Sequence, residues 1–125
     1  MPALTLDALA AMAETGEIDT VPACAVDMQG RLVGKRFHIA GFLEGGHEET
    51  HCCNYLLATD LEMATPDGYA ATGWAAGYGN YTMKPDLSTL CPVPWLDGTA
   101  LVLCDFLDHR SHAPAPHSSR QVLKA

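Results

Sequence analysis

Between His47 and Cys53 the chain reads His-Glu-Glu-Thr-His-Cys-Cys, a run that gathers four soft-metal donors. On a helix, His47 and His51 would stand one turn apart on one face, with Cys52 and Cys53 just beyond. Zinc takes four N or S donors in a tetrahedron, so these four residues define one candidate, a zinc-binding module. Adjacent cysteines rarely both point at one ion, and no Cys-x-x-Cys pair supports them. The plainer alternative is a helix surface with two solvent-facing histidines and one buried thiol.

A second stretch, Asp67-Gly68-Tyr69-Ala70-Ala71-Thr72-Gly73-Trp74, joins a carboxylate to glycines and two aromatic rings. Gly68 and Gly73 let the backbone bend and come close to a ligand. Trp74 offers a π face to a cation or anchors the loop. By residue type alone, Asp67-Gly68 after Pro66 is also an ordinary turn. From Phe37 to Met83 there are six acidic residues (Glu44, Glu48, Glu49, Asp60, Glu62, Asp67) and no Lys or Arg. A field of that sign attracts cations, amines included. The alternative is a solvated acidic face that only aids solubility.

A chain of 125 residues fits one domain and buries about two-thirds of its unfolded surface. With 48% hydrophobic and 18% charged residues, its composition is that of a folded protein. The net charge of −8 argues against nucleic acid, which needs a basic face. No apolar stretch is long enough to cross a bilayer, and the N-terminus lacks the features of a secretory signal. Cytoplasmic residence is therefore expected. Five cysteines, an odd count, fit a reducing setting, with Cys24, Cys91 and Cys104 acting as small hydrophobes in strand-like runs. Arg31, Arg36 and Lys84 read as surface charges.

These residues must be held by elements that the pattern also predicts. Thr5-Leu6-Asp7-Ala8 opens a helix, Leu6, Leu9, Ala10 and Ala13 give its apolar stripe, and Gly16 ends it with a left-handed cap. Strands are expected over 21–27 and 31–38, joined by a turn that needs a positive φ at Gly30. Residues 41–46 read as a loop and 48–58 as a second helix, with Cys52, Cys53, Leu56 and Leu57 on its apolar side. The long Gly- and Ala-rich stretch 59–79 reads as a functional loop. Strands follow over 81–84, 90–93 and 100–107. Pro92 and Pro94 confine the second of these to an edge or keep it short, and the third is central. Residues 108–119 have linker composition, and 119–124 begin another helix. The sum is an α+β domain, a β-grasp-like mixed sheet of about five strands with helices on one face.

Several separated pieces resemble the glutamine synthetase family, in its glutamine synthetase-like and γ-glutamylpolyamine synthetase-like branch. Residues 27–36 (Asp-Met-Gln-Gly-Arg-Leu-Val-Gly-Lys-Arg) resemble the first hairpin of the family's N-terminal domain. Residues 53–63, from Cys53-Asn54-Tyr55 to Glu62-Met63, are similar to its helix-to-loop stretch. Tyr78-Gly79-Asn80-Tyr81 to Met83, Pro85-Asp86, Pro94-Trp95 and Gly98-Thr99 match the strands that follow. Arg120-Gln121-Val122-Leu123 resembles the start of the helix leading into the catalytic domain.

The resemblance implies an ATP-dependent ligase that joins an amine to the γ-carboxyl of glutamate through a γ-glutamyl phosphate. It divides the chain into an N-terminal β-grasp domain over 1–110, and a linker with the first helix of an absent catalytic domain over 111–125. In the family this domain packs on the adjacent subunit of a homo-oligomeric ring and completes that subunit's active site. The family's Asp-Gly-Ser-Ser-x-Gly-Gly-Trp loop binds ammonium and removes its proton through the aspartate, and Asp67 holds that place here. Gly68, Tyr69, Gly73 and Trp74 would form the substrate-binding loop. Tyr69 and Ala70 replace the two serines and Thr72 a glycine, so a larger amine, a polyamine or an alkylamine, is expected rather than ammonia. Metal ligands and nucleotide-binding residues belong to the absent domain. No cofactor is expected in this chain, ATP and Mg or Mn are implied for the parent enzyme, and the chain alone should be inactive. The rival to this reading is a stand-alone β-grasp interaction module whose aromatic loop binds a partner.

Overall fold

Thr5 opens the first helix as its side chain requires, accepting the N–H of Ala8 at 3.0 Å. The helix, α1 (Leu6–Glu14), carries Asp7 in its first turn and stops at Gly16, whose φ of 81° is left-handed. The computed structural model describes residues 3–58, 62–63 and 80–124, with backbone alone for 53–55.

After α1 come β1 (Thr20–Val26) and β2 (Leu32–His38), paired antiparallel across a turn closed by Gly30 N–H to the Asp27 carbonyl (3.1 Å). Gly30 has the expected positive φ, 85°. Next is β3 (Thr50–Cys53), then β4 (Asn80–Pro92) and β5 (Ala100–Asp108). The sheet order is β2-β1-β5-β4-β3, with β1 and β5 parallel and the other neighbours antiparallel. It is a mixed five-stranded sheet in an α+β fold.

Two predicted elements differ from what formed. Residues 48–58 are not a helix: Thr50–Cys53 is β3, followed by a short 3-10 turn over Asn54–Leu57. The apolar spacing that suggested a helix serves other ends. Leu57 is buried, while Leu56 and Cys52 pack at the margin of the core. Conversely, residues 41–46 are not a loop. A helical turn α2 (Ile39–Gly41) runs into a π-helical turn over Phe42–Gly46. Phe42 is fully buried there and meets Phe37 edge-on, with ring centroids 6.2 Å apart. Glycines at 45 and 46 masked a segment held by burial rather than by propensity.

The two strands expected over 81–84 and 90–93 are one, β4, bent by a register break between Asp86 and Cys91. Only residues 80–83 of β4 pair with β3, so Pro85 and Pro92 both lie where β4 is an edge. The central strand β5 alternates buried and half-buried residues. Ala100, Val102, Cys104 and Phe106 face the core with Val21, Ala23, Ala25 and Met83. Leu9 of α1, Ile39 and Phe42 cover this face. Trp95 is 84% exposed in the β4–β5 connection. No helix among the described residues is long and apolar enough to cross a membrane.

Residues beyond β5 fold back onto the sheet. Asp108 N–H reaches the Ala113 carbonyl (2.8 Å), Ala115 N–H reaches the Phe106 carbonyl (2.9 Å), and Pro114 bridges Leu107. Ala115 and Ser118 are buried. The final helix α3 (Ser119–Lys124) is clamped by charge. Arg120 lies 2.8 Å from Asp86 and 3.6 Å from Asp105, and Lys124 lies 2.7 Å from Asp105. Asp105 alternates with core-facing Cys104 and Phe106, so α3 meets the opposite face of the sheet.

This clamp should be acid-sensitive. The Ser88 hydroxyl and then the Arg120 guanidinium hold the Asp86 carboxyl down at about 2, from an ordinary 3.8. A carboxylate whose folded value is depressed stabilises above its unfolded value, and the gain is lost as pH falls toward the folded one. Between about pH 4 and pH 2 the chain should lose about 1 to 2 kcal/mol through Asp86, allowing for partial solvation. Urea unfolding of Asp86→Asn should show that much less acid dependence than the parent; equal slopes would refute the clamp.

Candidate functional site

The β3–β4 pair brings together residues that lie on either side of 59–79 in the sequence. Cys53 is paired with Asn80, so both roots of that segment sit at one end, beside the Tyr81–Asp108 pair. The roots are firm. Leu57 and Ala58 are buried on one side and Tyr81 on the other, where its ring lies 5.6 Å from Phe106. Asp67, Gly68, Tyr69, Gly73 and Trp74 lie outside the described residues, as does the rest of 64–79.

Around the roots the structure gathers groups that sequence reasoning left unassigned. The Asp27 side chain is 1% exposed at the end of β1. Its carboxylate accepts the N–H of Arg31 (2.8 Å), the N–H of Gln29 (3.0 Å) and Nε of Arg31 (2.8 Å). Burial by itself would raise this carboxyl. The three donors and the Arg31 charge outweigh it, so Asp27 lies below the ordinary carboxylate range. Arg31 is thus no plain surface charge; its Nη2 also reaches the Met63 sulfur at 3.4 Å. Met63 carries a φ of 63°, a left-handed bend four residues before Asp67. The pairing had a visible signal. An Asp three residues ahead of a turn glycine is placed to fold its carboxylate over the next N–H groups.

The same end holds the start of α3 and the residues just before it. Ser119 Oγ donates to the Asp27 carbonyl at 3.1 Å, and His117 Nε2 lies 3.2 Å from the Tyr81 hydroxyl.

The candidate metal ligands do not assemble. With no helix over 48–58, His47 and His51 lose their common face. His47 Nδ1 donates to the Phe42 carbonyl (2.9 Å), while the His51 ring lies edge-on to His109 at 5.1 Å. Among the described residues no group of three or more His, Cys, Asp or Glu is placed to hold a metal ion. The Cys53 side chain lies outside the described set. Burial pushes the Cys104 thiol up to about 12 and raises Cys24 as well, so neither is a thiolate near neutrality.

No family model matches the chain. Over 124 residues it is 44% identical to the gamma-glutamylethanolamide synthetase of Streptomyces coelicolor, a match spanning 98% of the chain and 27% of that protein. Over 112 residues it is 38% identical to the glutamate–isopropylamine ligase of a Pseudomonas species, spanning 89% and 24%. The fold matches GmaS solved with ADP, with a TM-score of 0.65 at 18% identity over 93% of this chain and 24% of that one. The chain belongs to the glutamine synthetase family. Its β-grasp-like sheet is that of the family's N-terminal domain. The glutamine synthetase-type sheet gives the buried residues Leu57, Ala58 and Tyr81 a rigid platform. The chain spans about a quarter of the length of the curated relatives it matches.

Proposed function

We propose that this chain is the N-terminal domain of an ATP-dependent glutamate–amine ligase, supplying an amine-site arm to a neighbouring subunit of a homo-oligomeric ring. The observation that carries the proposal is the 44% and 38% identity to two proteins named for joining glutamate to ethanolamine and to isopropylamine. The Asp67-Gly68 to Gly73-Trp74 stretch, with the spacing of the family's loop, supports it. In this reading Asp67 pairs with the protonated amine and takes the proton that must leave nitrogen before its lone pair can attack. The nitrogen then bonds to the activated γ-carbon of glutamate, and the activating group departs with the electrons of the broken C–O bond. Gly68 and Gly73 shape the arm, and Tyr69 and Trp74 wall the amine site.

Residues 1–110 form the domain in this proposal, and 111–125 lead to the catalytic region through α3. The described residues do not fit a metal–nucleotide site, since they place no cluster of three metal donors. ATP and its Mg or Mn are accordingly assigned to the remainder of the ligase. The 125-residue chain is inactive alone, and the ligase resides in the cytoplasm.

With Tyr69 and Ala70 in place of two serines, the amine site loses two hydroxyls and gains an aromatic ring. A site that has given up polar contacts discriminates against the small, strongly hydrated ammonium ion. In the full ligase, kcat/KM should be higher for ethanolamine or a short alkylamine than for ammonium, by about tenfold or more. The check is an amine panel at saturating glutamate and ATP. Ammonium as the best substrate would overturn the amine assignment.

A further inference from the structure

We propose that His51 and His109 form a two-imidazole site for a divalent transition-metal ion, separate from the ligase reading above. The strand register brings them together. His51 in β3 lies opposite Thr82 in β4, and Thr82 lies opposite Leu107 in β5, so these three share one face of the sheet. His109 comes directly after β5, and its ring meets the His51 ring with centroids 5.1 Å apart and planes at 87°.

That separation suits a shared ion. Two imidazoles bonded to one zinc at about 2.0 Å and a near-tetrahedral angle stand about 5 Å apart, centre to centre. Both histidines are exposed, so each ring can turn about χ2, a soft torsion, to aim a nitrogen at the ion. Neutral imidazole suits zinc, nickel and copper ions rather than magnesium. Glu49 adds negative charge at the same place, with its Oε1 3.9 Å from His51 Nε2. The described residues place no group of three His, Cys, Asp or Glu donors, so water fills the remaining positions.

Thr82 supplies an independent observation. Its side chain is fully buried, and its Oγ1 has no hydrogen-bond partner. A buried hydroxyl left unpaired is costly. Opposite residues of an antiparallel pair have Cβ atoms about 5 Å apart, which puts Oγ1 within reach of the His51 ring. A metal-bound histidine is oriented by donating its other ring N–H to an oxygen. With the ion on Nε2 of His51, Nδ1–H is directed at Thr82 Oγ1, and the orphaned atom gains its partner. The ion then ties β3, a four-residue edge strand, across β4 to the turn beyond β5.

The test is a calorimetric titration of zinc chloride into the 125-residue chain, prepared without a histidine tag. One equivalent should bind. His51→Gln and His109→Gln should each weaken binding by about tenfold or more, and Thr82→Val, which keeps shape but removes the hydroxyl, by about tenfold. His112→Gln in the same turn, and about a hundredfold excess of magnesium, should leave binding unchanged. Zinc should raise the melting temperature of the parent but not of the His51 or His109 variants. Without metal these two exposed-site variants should melt within about 4 °C of the parent, so lost binding is not lost folding. Failure of the parent to bind one equivalent overturns the site, as does binding that survives both histidine changes. Displacement by magnesium, or an equal loss in His112→Gln, overturns it too. A Thr82→Val chain that binds as tightly as the parent overturns the part given to Thr82.

Discussion

Asp67→Asn in the full ligase is expected to lower kcat/KM for the amine by about a hundredfold, the usual scale for losing a positioned general base. The substitution keeps shape and removes charge. It takes away both the attraction for a protonated amine and the proton acceptor, an effect amplified where water is partly excluded. Two further readouts identify the cause. KM for glutamate should stay within about threefold, because the carboxylate meets only the amine. The defect should also shrink as pH rises toward the amine's own pKa, about 10 for an alkylammonium, since more amine then arrives already deprotonated. A defect independent of pH, or one shared equally by glutamate and amine, would reduce Asp67 to a turn residue.

Phe42→Ala should cost about 3 to 5 kcal/mol of folding stability, the range for emptying a buried aromatic site. Phe42 is wholly buried and packs on Phe37 and His47, with ring centroids 6.2 Å away in both cases. For a domain of this size the melting temperature should fall by about 10 to 20 °C. Leu123→Ala on α3, where the side chain is 85% exposed, should change stability by less than about 0.5 kcal/mol and serves as the reference. Thermal unfolding followed by circular dichroism decides it. A loss under about 1 kcal/mol at Phe42 would mean that 41–46 is the surface loop its glycines suggest.

Segments whose own pattern was long enough were readable from sequence. The α1 cap and stripe, the Gly30 turn and the apolar run of β5 each carry their signal within ten residues, and each formed where expected. The segment from Glu48 to Ala58 misled because Cys52, Cys53, Leu56 and Leu57 mimic a helical face. Its true state depends on Asn80–Met83, more than twenty residues away, which offers β3 a partner. A four-residue strand has too little intrinsic preference to declare itself without that partner. Arg31 was misjudged for a related reason: its partner Asp27 is local, but the burial that makes the pair consequential comes from the packed domain.

The sequence by itself determined the class of fold, the glutamine synthetase resemblance, and which residues of the arm carry a carboxylate and aromatic rings, because these follow from local pattern and ordered motifs. Only the tertiary structure decided that Asp27, Arg31, Met63, Tyr81, His117 and Ser119 meet at one end of the sheet. The physical reason is that strand pairing and burial are non-local. Residues separated by up to ninety-two positions become neighbours through backbone hydrogen bonds and a shared core, neither of which leaves a mark on any single stretch of chain.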